Sequence, residues 1–184
     1  PHLDAFDRAT GKRHGDGQPP SAEHQAVVAS LGGISGALKN MPRRQHLAWL
    51  RRYMDTAFPV DESALRIIPT DAGGVRAEWV LAPNADPQRR LLYIHGGAWT
   101  MGSPTSHRRL TAKFSEVANA AVLAIDYRLM PEHPRLAGIE DCRTAYRWML
   151  DHGPEGASPA NALFVAGDSA GGNLTLSLIA WIRD

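Results

Sequence analysis

The chain has 184 residues, of which 43% are hydrophobic, and this is enough for one domain with a substantial core. Its 20 lysines and arginines nearly balance 19 aspartates and glutamates, so no broad charged field exists to recruit nucleic acid or an anionic membrane. One cysteine, Cys142, cannot form an internal disulfide, and it fits a reducing compartment such as the cytoplasm. No leader pattern opens the chain and no apolar run approaches the roughly 18 residues of a membrane span, so we expect neither.

The N-terminal region is predicted to hold an arm and two helices. The arm includes GKRHGDGQPP (11–20), which is polar and rich in glycine and proline. A weak helical pattern runs from Ala22 to Leu38, and Pro42 suits the first turn of a second helix. We therefore assign residues 1–60 to this region and residues 61–184 to the core domain.

The core is predicted to open with an antiparallel hairpin and to continue as a parallel α/β sheet. SALRIIP (63–69) and VRAEWVL (75–81) have strand character, with TDAGG (70–74) as the turn between them. Three short apolar runs then alternate with helical stretches, which is typical of a parallel sheet covered on both faces. The runs are LLYI (91–94), AVLAIDY (121–127) and ALFVA (162–166).

The helices between and after these strands are predicted from apolar residues at helical spacing. The first helix has Leu110, Phe114 and Val117; the second has Ile139, Cys142, Tyr146 and Met149; the third, after Ser169, has Leu174, Leu178, Trp181 and Ile182.

A G-x-S-x-G pentapeptide, Gly167 to Gly171, lies directly between the last predicted strand and the last predicted helix. A strand that reverses into a helix within a few residues puts the central serine in strained dihedrals and leaves room only for glycine two positions away. This context predicts that Ser169 is a nucleophile, and we expect Asp168 to brace the turn.

A second motif, His95-Gly96-Gly97, follows the strand LLYI. Ester attack places negative charge on the carbonyl oxygen, and a glycine pair lets backbone N–H groups approach that oxygen. We expect Gly96 and Gly97 to supply two donors and Ala170, at the start of the last helix, to supply a third. His95 belongs to the same turn and would support it.

The chain resembles the hormone-sensitive-lipase-type carboxylesterases of the α/β-hydrolase fold. HGGAW (95–99), DYRLMPEHP (126–134) and GDSAGG (167–172) carry the resemblance, in the order of that family. The resemblance implies the α/β-hydrolase fold, a Ser169 nucleophile, hydrolysis of short- to medium-chain acyl esters, and a cap that includes the N-terminal helices. Where the family commonly reads APEHPFPAALED, Met130, Arg135 and Leu136 depart from its pattern.

Other polar residues have structural interpretations. Four polar residues of the 126–134 segment are expected to form a buried polar network that holds this loop rather than to react: Asp126, Tyr127, Glu132 and His133. His107, His152 and the N-terminal histidines lack ligand spacing, so we predict no metal, and the motifs call for no cofactor.

The activating groups for Ser169 are not in this sequence. In this fold the triad acid and histidine follow the serine, yet after Ser169 the chain contains only Asp184 and no histidine. A cleaved enzyme with a second polypeptide, or a fragment of a longer enzyme, explains this better than a naturally truncated product, because the last strand would otherwise keep an unpaired edge. The alternative function is a non-catalytic small-molecule receptor, like the gibberellin receptors of the same fold, and the missing histidine would discriminate the two.

Overall fold

A computed structural model describes residues 19–184 of the chain. Most of the predicted N-terminal arm therefore lies outside the described residues. The chain divides into two compact units, Pro1–Arg43 and Arg44–Asp184. The domain boundary that the sequence places between residues 60 and 61 stays a prediction.

Five helices and seven strands make up the described chain. The helices are α1 (Ala22–Lys39), α2 (Arg43–Ala57), α3 (Arg108–Ala118), α4 (Arg135–Asp151) and α5 (Ser169–Arg183). The strands are β1 (Arg66–Asp71), β2 (Arg76–Leu81), β3 (Asp86–Ile94), β4 (Ala120–Ile125), β5 (His152–Gly153), β6 (Gly156–Ala157) and β7 (Ala162–Gly167).

The two predicted N-terminal helices are present as α1 and α2. In the first unit, the side chain of Ser21 accepts a hydrogen bond from the His24 N–H at 3.2 Å and so caps α1. No helix of residues 19–184 is long and apolar enough to cross a membrane.

The central sheet has the order β1-β2-β4-β3-β7 and confirms the predicted α/β architecture. β1, β2 and β4 pair antiparallel, whereas β4, β3 and β7 pair parallel. All six residues of β4 are buried, as expected for a strand with both faces covered. Because β3 and β7 are parallel neighbours, their carboxyl ends meet at one edge of the sheet.

Strand β3 begins at Asp86, five residues before the predicted start at Leu91. The segment before Leu91 is polar, so hydrophobicity indicates a loop there. Its backbone nevertheless pairs with β4 on one side and with β7 on the other. Pairing with two neighbours outweighs the polar character of these side chains.

Arg90 is a fully buried cation that ties the segment before β7 to β3. Its guanidinium donates to the carbonyl of Met149 at 2.8 Å, and to the carbonyl and hydroxyl of Ser158 at 2.9 and 2.8 Å. Weaker bonds reach the carbonyls of Leu150 and Pro159, each at 3.3 Å. Burial lowers the pKa of Arg90, and the charge of Asp151 opposes this shift. The groups that accept hydrogen bonds from the Arg90 guanidinium are neutral oxygens.

Replacing Arg90 with methionine is expected to lower the free energy of unfolding by about 3 to 5 kcal/mol, because several buried carbonyls would lose their donor. Urea unfolding followed by circular dichroism measures this loss. Arg109→Met is the matched control, since the side chain of Arg109 is exposed and has no hydrogen-bond partner among residues 19–184. This control should change the free energy of unfolding by less than about 0.5 kcal/mol. Equal losses in the two variants would contradict the anchoring role of Arg90.

Helix α3 is present, but its inward face differs from the expected one. Leu110, Phe114 and Val117 are 45%, 38% and 72% exposed. The buried residues of α3 are Thr111 and Ser115. The Ser115 hydroxyl accepts from the Ala82 N–H at 2.8 Å and donates to the Ala120 carbonyl at 2.7 Å. The inward face of α3 therefore carries a hydroxyl that satisfies backbone groups of Ala82 and Ala120, a role that hydrophobic periodicity does not reveal.

Each of the other two predicted helices buries two of its four predicted residues, while Ile182 on α5 is exposed. Cys142 and Met149 of α4 are buried, as are Leu174 and Leu178 of α5. Burial raises the pKa of the Cys142 thiol to about 12, so this cysteine is an inert core residue.

The β7 side of the sheet is uncovered within the described chain. β7 pairs only with β3, so its other edge has no strand among residues 19–184. Large apolar side chains on this side are exposed, namely Phe164 on β7 and Leu176, Ile179 and Ile182 on α5. An open edge beside exposed apolar side chains is a surface that folded proteins normally cover.

Candidate active site

The turn between β7 and α5 has the predicted form. β7 ends at Gly167 and α5 begins at Ser169, whose φ of 51° is in the left-handed region. Such a conformation costs a non-glycine residue roughly 1 to 3 kcal/mol and is concentrated at functional sites. Ser169 is exposed, and its hydroxyl has no hydrogen-bond partner in the described part of the chain. Ser169 therefore has the exposure and backbone conformation that a nucleophile in this turn needs, and its role as a nucleophile stays a prediction.

Gly171 shows why the turn requires glycine. A Cβ atom at this position would lie 1.9 Å from the carbonyl oxygen of Ile94, the last residue of β3. Helix α5 therefore starts in backbone contact with the strand that leads into the His95-Gly96-Gly97 turn.

The His95-Gly96-Gly97 turn lies at the same edge of the sheet, because it directly follows β3. Gly97 has φ 119°, and a Cβ atom there would lie 2.1 Å from the carbonyl oxygen of Met101. The next residues, Ala98 and Trp99, also have positive φ, at 54° and 58°. Within residues 19–184, the backbone N–H groups of Gly97 and Ala98 have no hydrogen-bond partner. The turn therefore presents unpaired donors.

Asp168 joins the two turns. Its Oδ1 atom accepts from the Gly96 N–H at 2.9 Å and from the Tyr93 hydroxyl at 2.9 Å. The Nε2 atom of His107 lies 3.4 Å from the same oxygen. The Gly96 N–H is thus occupied, so its predicted part in an oxyanion hole would require it to leave Asp168. The predicted bracing role of Asp168 fits these contacts.

The carboxyl of Asp168 is ionised over a wide pH range. Partial burial is the largest influence and opposes ionisation, but His107, Tyr93 and the Gly96 N–H together outweigh it and lower the pKa to about 2. Burial and the bond to Asp168 raise the pKa of Tyr93, so its hydroxyl keeps the proton that it donates.

His95 is a structural part of the His95-Gly96-Gly97 turn, which is called the glycine turn below. It is buried, and its Nδ1 atom lies 2.8 Å from the Gly96 carbonyl oxygen. Its ring stacks on Tyr127 with centroids 4.4 Å apart, and the Tyr127 hydroxyl donates to the His95 carbonyl at 2.9 Å. Burial lowers the pKa of His95 to about 4, so the ring is neutral near neutral pH.

His107 is a site residue that sequence reasoning missed. It ends a short 3₁₀ turn before α3, is buried, and lies beside Asp168. Its Nδ1 atom is 2.8 Å from the hydroxyl of Ser106. No local pattern marks His107, because its contact with Asp168 depends on how the 3₁₀ turn lies against the end of β7.

Ion pairs connect the 126–134 loop to neighbouring segments, but Glu132 and His133 are exposed and so are not part of the expected buried network. Asp126 pairs with Arg76 at 2.5 Å and Glu132 pairs with Arg51 at 2.8 Å. The guanidinium of Arg51, on α2, also donates to the carbonyls of Thr100 at 2.8 Å and Met130 at 3.1 Å. One side chain of α2 therefore contacts both the loop and the segment after Gly97.

A cavity of about 860 Å³ lies away from Ser169. Its lining residues include Asp126, Glu132 and His133. Three of its four acidic residues, Asp126, Glu132 and Asp141, pair with arginines, and the fourth, Asp55, accepts a hydrogen bond from the Ser103 hydroxyl. We therefore place the candidate site at the exposed serine and the unpaired backbone donors. Within residues 19–184, no group of three or more His, Cys, Asp or Glu side chains is arranged to hold a metal ion.

Comparison with known proteins identifies the family. The model of a family described by the alpha/beta hydrolase fold matches residues 91–184, which is half of the chain. The chain belongs to the alpha/beta hydrolase family. The matched segment of this alpha/beta hydrolase contains both turns and the loop between them.

Relatives of this alpha/beta hydrolase include named esterases. It is 44% identical over 112 residues to an acetyl-hydrolase of Streptomyces hygroscopicus, an alignment that covers 61% of this chain and 36% of the relative. It is 37% identical over 117 residues to esterase LipI of Mycobacterium tuberculosis, covering 63% and 37% of the two chains. The chain thus spans little more than a third of these relatives.

Solved structures agree with this resemblance. An esterase from the bacterial hormone-sensitive lipase family matches with a TM-score of 0.74 and 33% identity, over 90% of this chain and 54% of that one. The S202W/I203F mutant of esterase E40 matches with a TM-score of 0.77 and 32% identity, again over 90% and 54%. The expected resemblance to hormone-sensitive-lipase-type esterases is confirmed.

Proposed function

We propose that this chain carries the nucleophile and the oxyanion-binding turn of a serine carboxylesterase. The observation that carries the proposal is Ser169, exposed and in a left-handed conformation, at the same sheet edge as the unpaired N–H groups of Gly97 and Ala98. The esterase names of the relatives support the reaction class. Substrates would be short- to medium-chain acyl esters.

The oxyanion hole would be built from backbone N–H groups. Gly97 offers an unpaired donor, and Ala170 offers another because the first N–H groups of a helix have no partner within it. The bond from Gly96 to Asp168 favours Ala98 as the further donor in place of Gly96. The positive end of the α5 dipole would add to the stabilisation of the oxyanion.

A general base for Ser169 would come from outside this sequence. His95 and His107 are both buried and engaged by other groups, and no histidine follows Ser169. We infer that a second segment supplies the triad acid and histidine, either as a separate polypeptide or as more of the same one. The uncovered side of β7 and α5 is a surface on which such a segment would pack. The chain together with that segment is called the assembled protein below.

The reaction would proceed through an acyl-enzyme. The Ser169 oxygen attacks the ester carbonyl carbon as its proton passes to the histidine of the second segment, and the carbonyl oxygen becomes an oxyanion. Collapse of this tetrahedral intermediate breaks the ester C–O bond, and the alcohol leaves with the proton from that histidine. A water molecule then attacks the acyl carbon as it gives one proton to the histidine. The bond between the acyl carbon and the Ser169 oxygen breaks, this oxygen takes that proton back from the histidine, and the carboxylic acid leaves.

A fluorophosphonate probe tests the nucleophile. In the assembled protein, the probe is expected to react with Ser169, and peptide mapping by mass spectrometry locates the label. Ser169→Ala is expected to abolish labelling, whereas Ser177→Ala, further along α5, should leave it intact. Label on another serine, or no label in a sample that hydrolyses p-nitrophenyl butyrate, would refute the assignment.

The receptor alternative has no comparable support. No contact among residues 19–184 favours binding without hydrolysis, and the relatives named above are hydrolases or esterases.

A further inference from the structure

Arg135, the first residue of α4, reaches across to both elements of the candidate active site. Its guanidinium carbon lies 4.8 Å from the ring centroid of Trp99, two residues after Gly97. Its Nη2 atom donates to the Oδ1 atom of Asn173, on α5, at 2.7 Å. The cation is thus fixed by one contact to the glycine turn and one to the helix that begins at Ser169.

The contact with Asn173 places this charge near the reacting serine. Asn173 follows Ser169 by four residues on α5, so the two side chains share one face of the helix, about 6 Å apart at their Cβ atoms. Ser169, Asn173 and Arg135 are all exposed. The guanidinium therefore lies near enough to Ser169 to contact a substrate whose carbonyl carbon is at that serine.

Arg135 also differs from its neighbours in having no carboxylate partner. Glu132 pairs with Arg51, Glu140 with Arg143, and Asp141 with Arg128. No acidic side chain of residues 19–184 pairs with Arg135. Arginine remains charged at all working pH values and has several N–H donors, of which Asn173 engages one.

The guanidinium of Arg135 keeps donors that no side chain of residues 19–184 engages. Its carbon lies over the Trp99 ring, and only the bond to Asn173 uses one of its five N–H groups. A planar fork of this kind matches the two oxygens of a carboxylate. The arrangement is therefore that of an anion-binding group beside an ester-hydrolysing serine.

We propose that Arg135 is a specificity-determining residue that binds a carboxylate carried by the substrate. The preferred substrates are esters with a second, anionic group, either on the acyl side, as in monoesters of dicarboxylic acids, or on the alcohol side. The proposal rests on the proposed esterase function. The proposal adds a class of substrate, esters that carry a carboxylate, which Ser169 and the glycine turn alone do not define.

The test compares matched charged and neutral esters in the assembled protein. A pH-stat assay gives kcat/KM for monoethyl glutarate against ethyl pentanoate, which differ in an acyl-side carboxylate. The alcohol-side pair is 3-(butanoyloxy)propanoate against propyl butyrate. The ratio of charged to neutral kcat/KM is used because a change common to both esters cancels in it.

Arg135→Gln is expected to lower this ratio about tenfold for one of the two pairs, and the affected pair identifies the side of the ester that carries the carboxylate. The matched control is Arg147→Gln, because Arg147 is also exposed and its guanidinium carbon lies over a tryptophan ring, 4.6 Å from the Trp181 centroid. This control should leave both ratios unchanged.

A second measurement needs no variant. In the wild-type protein, the ratio for the affected pair is expected to fall as sodium chloride is raised, because salt screens an exposed charge pair. Ratios that Arg135→Gln leaves unchanged, or that Arg147→Gln lowers equally, overturn the proposal, as does a ratio insensitive to salt. A wild-type protein that hydrolyses p-nitrophenyl butyrate but none of the four esters also overturns the proposal. If it hydrolyses neither p-nitrophenyl butyrate nor the four esters, the proposed function itself has failed.

Discussion

Residues 1–184 alone are expected to hydrolyse esters at least about 10⁴-fold more slowly than the assembled protein. A serine without its base and acid keeps only what binding and the oxyanion donors provide, and losing triad members costs on the order of 10⁴ to 10⁶ in kcat. In the described chain, no histidine contacts the Ser169 hydroxyl. The measurement compares p-nitrophenyl butyrate hydrolysis by the isolated chain with hydrolysis by the chain plus the second segment, identified from the intact mass of the native sample.

Two controls make this comparison decisive. The isolated chain carrying Ser169→Ala sets the background rate, and circular dichroism shows whether the isolated chain is folded. A folded isolated chain with a rate close to that of the assembled protein would contradict the inference. The base would then have to be sought among the histidines of this sequence, beginning with His133, which lines the large cavity.

Replacing Asp168 with asparagine is expected to lower kcat by about 10², with a smaller effect on KM. The Oδ1 atom of Asp168 contacts Tyr93, Gly96 and His107, and the substitution replaces its carboxylate with a neutral amide that makes weaker hydrogen bonds. The turn around Ser169 and the His95-Gly96-Gly97 turn would lose their common anchor, and displaced oxyanion donors reduce transition-state binding by about this factor. Asp184→Asn, an exposed carboxylate of the same chain, is the control and should keep the wild-type kcat.

The same substitution should change how stability depends on pH. The folded-state pKa of Asp168, about 2, is below its ordinary value of 3.8, so the carboxylate stabilises the fold above pH 3.8. This contribution is lost as the pH falls from about 4 to about 2. Urea unfolding at several pH values should therefore show a decline in wild type over this window that is smaller in Asp168→Asn. Parallel pH profiles, or a variant with unchanged kcat, would count against the anchoring role of Asp168.

Much of this site could be predicted because its signals are local in sequence. The turn around Ser169 follows from glycines placed between an apolar strand and an apolar helix, and β1 and β2 follow from alternation around a glycine pair. Such patterns need no knowledge of which elements are neighbours in space.

The features that sequence reasoning missed depend on contacts between distant segments. His107 gains its place at the site only because its 3₁₀ turn lies against Asp168. The N–H of Gly96 is occupied because β3 and β7 are adjacent, and the order of strands is not a local property. The small β5–β6 pairing and the polar start of β3 have no hydrophobic periodicity to reveal them.

The four bonds made by Arg51 have a consequence for protein engineering. Because this one side chain joins α2 to Glu132 and to the carbonyls of Thr100 and Met130, α2 is not an interchangeable module. A chimera that takes its N-terminal helices from a relative must bring an arginine at position 51 together with a carboxylate at position 132. Recombination designs should therefore place their crossover before α2, so that helix and loop are inherited from the same parent.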